Sequence, residues 1–189
     1  MFSLPNQLTI ARLFLAVLLF LFIAWESWLW SLLVFIAAAI TDWLDGVTAR
    51  WQGTASALGR NLDPLVDKVL IGGAFIFLLP VRGAGLVPWM VTVVVARELI
   101  ITGLRSFIEQ HGGNFGADWL GKIKMVLQCA ALIAIFAALY GRASGWQGFG
   151  QDVLIGLQFT LIYAMIVATA VSGLQYLWRA AWLLRGGSA

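Results

Sequence analysis

Apolar residues in this chain fall into six long runs that short polar or glycine-containing stretches separate. Each run has about 20 residues, the length that a helix needs to cross the ~30 Å hydrocarbon core of a bilayer. At that depth a helix satisfies every backbone hydrogen bond within its own segment. The pattern predicts an all-α membrane protein with six transmembrane helices, at about residues 8–25, 28–49, 56–79, 86–108, 119–140 and 152–178.

The first residues of the chain predict a short segment that precedes the six spans. Pro5, Asn6 and Thr9 are typical of a helix start, so a short interfacial segment is expected before the first span. Asn6, Thr9 and Arg12 recur at three-residue steps on one side of that helix. Helix capping explains this spacing as readily as a functional role does.

The composition agrees with a membrane protein. Hydrophobic residues make up 61% of the chain and charged residues 11%, which is far from the balance of soluble domains. We expect a single membrane-embedded domain over residues 1–189. The net charge of +3 is spread among the apolar runs, so anionic membrane lipids are expected partners and nucleic acid is not.

The basic residues predict the orientation in the membrane. Of the 12 Lys and Arg residues, all but Arg82 and Arg142 fall on one side when the six spans are threaded through a bilayer. Because Lys and Arg are enriched on the cytoplasmic side, both termini should face the cytoplasm. The sequence therefore predicts an integral inner or plasma membrane protein with its functional site on the cytoplasmic side.

Four of the nine acidic residues lie between residues 42 and 67, flanked by apolar runs on both sides. A carboxylate at membrane depth costs about 3 kcal/mol, and such groups usually serve an ion, a proton path or a substrate. Helical spacing places one set on a single face of the second span: Asp42, Asp45, Gly46 and Ala49. A second set follows a stripe on the third span: Gly59, Asp63 and Asp67. A turn near residues 52–54 would make the two spans antiparallel, so the four carboxylates should meet in one gap.

Oxygen ligands alone select hard cations. Mg2+ is the expected metal, with Mn2+ as the alternative. Two such ions could bind a diphosphate and neutralise charge on a reacting phosphoryl group. One carboxylate could then accept a proton from the substrate.

The spacing of these residues resembles the signature of the CDP-alcohol phosphatidyltransferases at every fixed position: Asp42-x2-Asp45-Gly46-x2-Ala49-Arg50-x8-Gly59-x3-Asp63-x3-Asp67. This resemblance implies a homodimer that transfers a phosphatidyl group from CDP-diacylglycerol to an alcohol and releases CMP. It implies Asp42, Asp45 and Asp63 as metal ligands, and Asp67 as the base that also contacts metal. It further implies a CMP pocket lined by Gly46, Ala49, Arg50 and Gly59.

The acceptor alcohol must be recognised by other residues. Arg97 and Arg105 lie eight positions apart on the fourth span, loosely on one side. Lys122 and Lys124 lie about 200° apart on the fifth, so only one of them should face inward. Buried guanidinium groups suit a phosphate, which favours a phosphorylated acceptor. Glu98 should pair with a basic neighbour.

These basic segments are similar to those of family members that make phosphatidylglycerophosphate. The resemblance implies sn-glycerol 3-phosphate as the acceptor, its phosphate held by Arg97, Arg105 and Lys122 or Lys124. The alternatives are phosphatidylglycerol, as in a cardiolipin synthase, or an inositol phosphate. The basic side chains could also serve only to anchor the helices at the membrane surface.

A hypothesis from another class is a cation or proton transporter that uses the acidic cluster as its ion site. A transporter needs polar groups that continue toward the outer face. The outer halves of the predicted spans carry few of them, which favours the transferase.

Overall fold

The computed structural model describes residues 4–52, 57–110 and 119–184, with side chains at 10–42, 66–108 and 119–182. These residues form six α-helices joined by short turns and loops, and no strand occurs among them. In chain order they are α1 (Leu4–Ala24), α2 (Trp28–Gln52), α3 (Ala57–Leu78), α4 (Pro88–Gln110), α5 (Trp119–Ala143) and α6 (Phe149–Leu184). The predicted all-α architecture with six helices is confirmed over this part of the chain.

The start of α1 differs from the prediction. Within the described residues the helix runs unbroken from Leu4 to Ala24, so the expected interfacial segment is not a separate helix. Pro5 lies in the first turn of α1, where its missing N–H would have no partner within the helix in any case. The proline therefore starts the helix without dividing it.

Length and composition mark two of the described helices as able to cross a membrane. They are Trp119–Ala143, which is α5, and Phe149–Trp182 within α6. Shorter apolar stretches, Ile10–Ala24 and Trp28–Asp42, lie in α1 and α2. Among the described residues, α5 and α6 are therefore the two helices that are long and apolar enough to cross a membrane.

Helix α5 lies at the centre of the packing, in contact with α2, α3 and α6. Helix α1 packs against α2 and α3, and α4 packs against α3 and α6. The rings of Phe35 on α2 and Phe136 on α5 meet with centroids 6.0 Å apart, and both are fully buried in the main core. At Gly73 on α3 a Cβ atom would collide with the ring of Phe20, so glycine lets α1 and α3 approach closely.

One end of the bundle is tied together by hydrogen bonds to the loop between α3 and α4. Gln158 Nε2 donates to the carbonyl oxygens of Gly83 at 2.9 Å and Ala84 at 2.7 Å. Arg142 Nη1 donates to the same Gly83 oxygen at 2.7 Å. Helices α1 and α3 begin, and α2 ends, at the opposite end of the bundle. The acidic residues of α2 and α3 are therefore expected near that opposite end.

Candidate active site

Three charged side chains from three helices meet inside the bundle, away from the tied loop. Nη1 of Arg12 on α1 lies 2.6 Å from Oδ1 of Asp42 on α2 and 2.5 Å from Oδ1 of Asp67 on α3. Each residue lies about 12–15 Å along its helix from the same end, so the three reach a similar depth. Only 2% of the Arg12 side chain is exposed, against 31% and 29% for the two aspartates. A buried guanidinium therefore faces two carboxylates that are open to a cavity.

The first cavity, of about 380 Å³, opens beside this charged group. Arg12, Asp42 and Asp67 are its charged lining residues, and the rest of its wall is almost entirely apolar. Helices α2, α3 and α5 supply that wall through residues such as Phe35, Ile71 and Met125. We call it the apolar cavity.

A second cavity, of about 230 Å³, adjoins the first. Asp67, Ile71 and Met125 line both cavities. The second one is far richer in charge, and we call it the basic cavity. Its charged and polar lining residues are Asp67, Lys68, Glu98, Arg105, Lys124 and Gln128.

Glu98 links two basic residues at the edge of the basic cavity. Its Oε1 atom accepts hydrogen bonds from Nη1 of Arg97 at 3.2 Å and from the ammonium group of Lys124. The predicted pairing of Glu98 with a basic neighbour is therefore present. Lys124 is 6% exposed and is fixed within the bundle by this contact.

The arginine of this pair, Arg97, turns toward α6 and is not among the residues that line the basic cavity. Its Nη2 atom donates to Oγ of Ser172 at 3.1 Å, and its guanidinium carbon lies 5.5 Å from the centre of the Tyr176 ring. Its Cγ atom would lie 3.2 Å from a Cβ atom placed at Gly173. These contacts fix α4 against α6, so Arg97 holds the helix that carries Glu98 and Arg105.

The two lysines of α5 have opposite environments, as their spacing predicts. Lys124 is buried and lines the basic cavity, whereas Lys122 is exposed and does not line it. The predicted acceptor-binding set is thus divided in the structure. Lys124 and Arg105 share one cavity, and Arg97 and Lys122 lie outside its lining.

Several predicted site residues belong to α2 and α3 by position, but their side chains fall outside the described residues. They are Asp45, Gly46, Ala49, Arg50, Gly59 and Asp63. Of the four predicted metal ligands, Asp42 and Asp67 have described side chains, and the structure brings them together on one partner.

The donor set at Asp42 and Asp67 fits a hard cation. One oxygen from each carboxylate converges on a single positively charged nitrogen, so the two acids already form a cation-binding pair. Carboxylate oxygens are the ligands that Mg2+ and Mn2+ prefer. Among the described side chains there is no group of three or more acidic, histidine or cysteine ligands.

Sequence reasoning did not assign Arg12 and Lys68 to the site. Arg12 is a lone charge in an apolar run, which was a usable signal, but capping and inner-end anchoring explained it equally well. Lys68 follows Asp67 directly and therefore points about 100° away on α3. With this orientation, Lys68 lines the basic cavity together with Glu98 and Lys124.

The chain is similar to known proteins over most of its length. The model of a family described as CDP-alcohol phosphatidyltransferase matches residues 2–172. A Bacillus subtilis (strain 168) protein named CDP-diacylglycerol–glycerol-3-phosphate 3-phosphatidyltransferase is 36% identical, over 80% of this chain and 96% of the relative. A Salmonella choleraesuis (strain SC-B67) protein of the same name is 34% identical over 93% of each chain. A third relative of that name, from Sodalis glossinidius (strain morsitans), is 29% identical over 94% of each.

Proposed function

This chain belongs to the CDP-alcohol phosphatidyltransferase family, and we propose that it transfers a phosphatidyl group from CDP-diacylglycerol to sn-glycerol 3-phosphate, releasing CMP. The names of the relatives support both substrates. The single structural observation that carries the proposal is the position of Asp67, which lines both the apolar and the basic cavity. A carboxylate at that boundary can reach a lipid-linked donor on one side and a phosphorylated alcohol on the other.

Asp67 acts in this proposal as the general base. It accepts the proton of an acceptor hydroxyl, and the alcohol oxygen forms a bond to the phosphorus that carries the diacylglycerol. The bond from that phosphorus to the bridging oxygen of the diphosphate breaks, and CMP leaves with the electron pair. A positioned base of this kind contributes about 10²–10⁴-fold to a rate.

The basic cavity is the proposed site for the acceptor phosphate. Lys68, Arg105 and Lys124 bring three positive charges to a space of about 230 Å³, against two negative charges from Asp67 and Glu98. Such charges bind phosphate through charge-assisted hydrogen bonds. The small volume favours glycerol 3-phosphate over phosphatidylglycerol, whose acyl chains need apolar surroundings. Arg97 supports the site through Glu98, and Lys122 has no assigned contact with the acceptor.

The apolar cavity is the proposed site for the lipid end of the donor. Its wall of aliphatic and aromatic side chains suits the diacylglycerol part, and its charged corner at Asp42 and Asp67 suits the phosphates with their metal. Gly46, Ala49, Arg50 and Gly59 are proposed to complete the site around CMP, as the family resemblance implies.

We propose Mg2+ as the cofactor, with Mn2+ able to replace it, and two ions as the count. Asp42, Asp45, Asp63 and Asp67 would hold them. When bound, such ions neutralise charge on the donor's diphosphate and on the reacting phosphoryl group. The support is the pair of carboxylate oxygens that converge on one cationic position.

All six helices are proposed to span the membrane. Each carries large apolar side chains that are exposed on the bundle surface, for example Phe14 at 63%, Ile40 at 53%, Ile76 at 51%, Leu99 at 64%, Val126 at 67% and Leu174 at 68%. Apolar surface of this extent is unusual in water and ordinary against lipid. The Lys and Arg distribution supports cytoplasmic termini and a cytoplasmic active site. The family resemblance supports a homodimer.

An acceptor panel tests the reaction. Purified protein in detergent micelles with CDP-diacylglycerol should release CMP with sn-glycerol 3-phosphate, and should not do so with glycerol, phosphatidylglycerol or an inositol phosphate. EDTA should abolish the release, and added Mg2+ or Mn2+ should restore it. CMP release with phosphatidylglycerol alone would refute the proposed acceptor, and full activity in EDTA would refute the metal.

A further inference from the structure

Arg12 occupies an unusual position for a charged residue in an apolar helix. Its side chain is 2% exposed, and a single nitrogen atom, Nη1, contacts carboxylate oxygens from two other helices. A buried charge of this kind is tolerated only when it is paired. In the structure, Arg12 places a positive charge against both Asp42 and Asp67.

The position of Nη1 excludes a second cation from the same place. Because Nη1 contacts both oxygens at 2.6 and 2.5 Å, these atoms cannot lie farther apart than the sum of the two distances. A divalent ion held by both oxygens would lie about 2.0–2.6 Å from each, between them. That is where the guanidinium nitrogen lies, and two positive charges so close would repel strongly.

We propose that Arg12 is an internal counter-cation, which holds Asp42 and Asp67 together in the metal-free protein and must move away before a divalent ion binds to both. This inference rests on the metal role of Asp42 and Asp67 in the proposed function. Arg12 is then a positioning residue for the metal ligands. It also sets the metal affinity, because only the fraction of molecules with Arg12 displaced can bind the ion.

Two consequences follow for a protein without Arg12. Its carboxylates are no longer bridged, so they should bind a divalent ion more tightly than those of the wild type. Without metal, the guanidinium that contacts both acids is missing, so the protein should be less stable. A residue that only anchors the helix, or that is itself needed to bind the metal, would not produce both effects.

The test is a Mn2+ titration of the full chain in detergent micelles, with free Mn2+ followed by electron paramagnetic resonance. Arg12→Gln should bind Mn2+ about tenfold more tightly than the wild type, as expected if the bridged state is populated about ten to one. Arg12→Lys keeps a cation and should stay near the wild-type affinity. Arg82→Gln removes the same charge at the other end of the bundle and should also match the wild type.

Thermal unfolding supplies the second readout. In EDTA the Tm of Arg12→Gln should lie below that of the wild type and of Arg82→Gln, and saturating Mn2+ should narrow this difference. Equal or weaker Mn2+ binding by Arg12→Gln would overturn the proposal. Absence of Mn2+ binding in every variant would overturn the proposed metal site as well, whereas CMP release in the acceptor panel tests the reaction separately.

A measurement on the wild type covers the case in which Arg12→Gln does not fold. With arginine labelled by nitrogen-15, the Nε signal of Arg12 is identified by its loss in Arg12→Lys. Addition of Mg2+ should shift this signal, since the guanidinium leaves its two carboxylates. A signal that saturating Mg2+ leaves unchanged would refute displacement.

Discussion

Replacing Lys124 by methionine should weaken the use of sn-glycerol 3-phosphate, whereas the same change at Lys122 should not. The two lysines are two positions apart on α5, yet Lys124 is buried in the lining of the basic cavity and Lys122 is exposed. They form a matched pair with identical chemistry and opposite environments. The comparison therefore isolates the effect of a positive charge inside the cavity.

The expected size follows from the contact that Lys124 would make. A hydrogen bond to a charged group contributes about 1.5–3 kcal/mol. That corresponds to a loss of about 10- to 150-fold in kcat/KM for the acceptor. Removing Lys124 also takes one of two basic partners from Glu98, but Nη1 of Arg97 remains 3.2 Å from its Oε1. The variant should therefore be less stable than the wild type and still fold.

Steady-state CMP release at varied acceptor concentration measures this effect, together with Tm in the same detergent. Glu98→Gln combined with Lys124→Met removes the partly buried negative charge and should recover stability without recovering kcat/KM. Equal kcat/KM values for Lys122→Met and Lys124→Met, in proteins that fold, would refute the assignment of the acceptor phosphate to the basic cavity. A recovered kcat/KM in the double variant would show that Lys124 acts only by neutralising Glu98.

Two further predictions concern the base and the helix packing. Asp67→Asn should lower kcat for CMP release by about 10²–10⁴-fold. The control Asp152→Asn, in the first turn of α6, should keep the wild-type kcat. An unchanged kcat in Asp67→Asn would exclude Asp67 as the base. Gly73→Ala would press a methyl group into the ring of Phe20 and should cost about 1–3 kcal/mol of stability, seen as a lower Tm. Gly103→Ala meets no atom within 4 Å and should not lower the Tm, so an equal loss in both variants would contradict the packing argument.

The positions of the helices could be predicted from the sequence because they depend on local pattern. The start of each apolar run and the turn residues between runs lie close together in the chain, and the predicted spans agree with the helices of the described residues apart from their ends. The contrast between Lys122 and Lys124 was predictable for the same reason. Their angular separation is a property of the helix and does not depend on its neighbours.

The isolated charge of Arg12 is visible in the sequence, but the two carboxylates that it contacts could not be predicted in this way. These contacts depend on α1 packing against both α2 and α3, which is a long-range arrangement that no local pattern encodes. Arg97 shows the same limit. Its periodicity relates it to Arg105, but only the packing of α4 against α6 decides that its guanidinium meets Ser172 and Tyr176.

In the proposed function, the boundary position of Asp67 lets one carboxylate serve two substrates of opposite character. A lipid-linked donor needs an apolar wall, and a small phosphorylated acceptor needs fixed positive charge; one space lined by both would solvate neither well. In this chain the apolar wall and the cluster of basic residues line different cavities. Asp42 and Arg12 line the apolar cavity, and Lys68 and Lys124 line the basic cavity. Asp67 lines both cavities, so in the proposed reaction a hydroxyl held by the basic cavity would meet the donor's phosphorus there without either substrate entering the other's site.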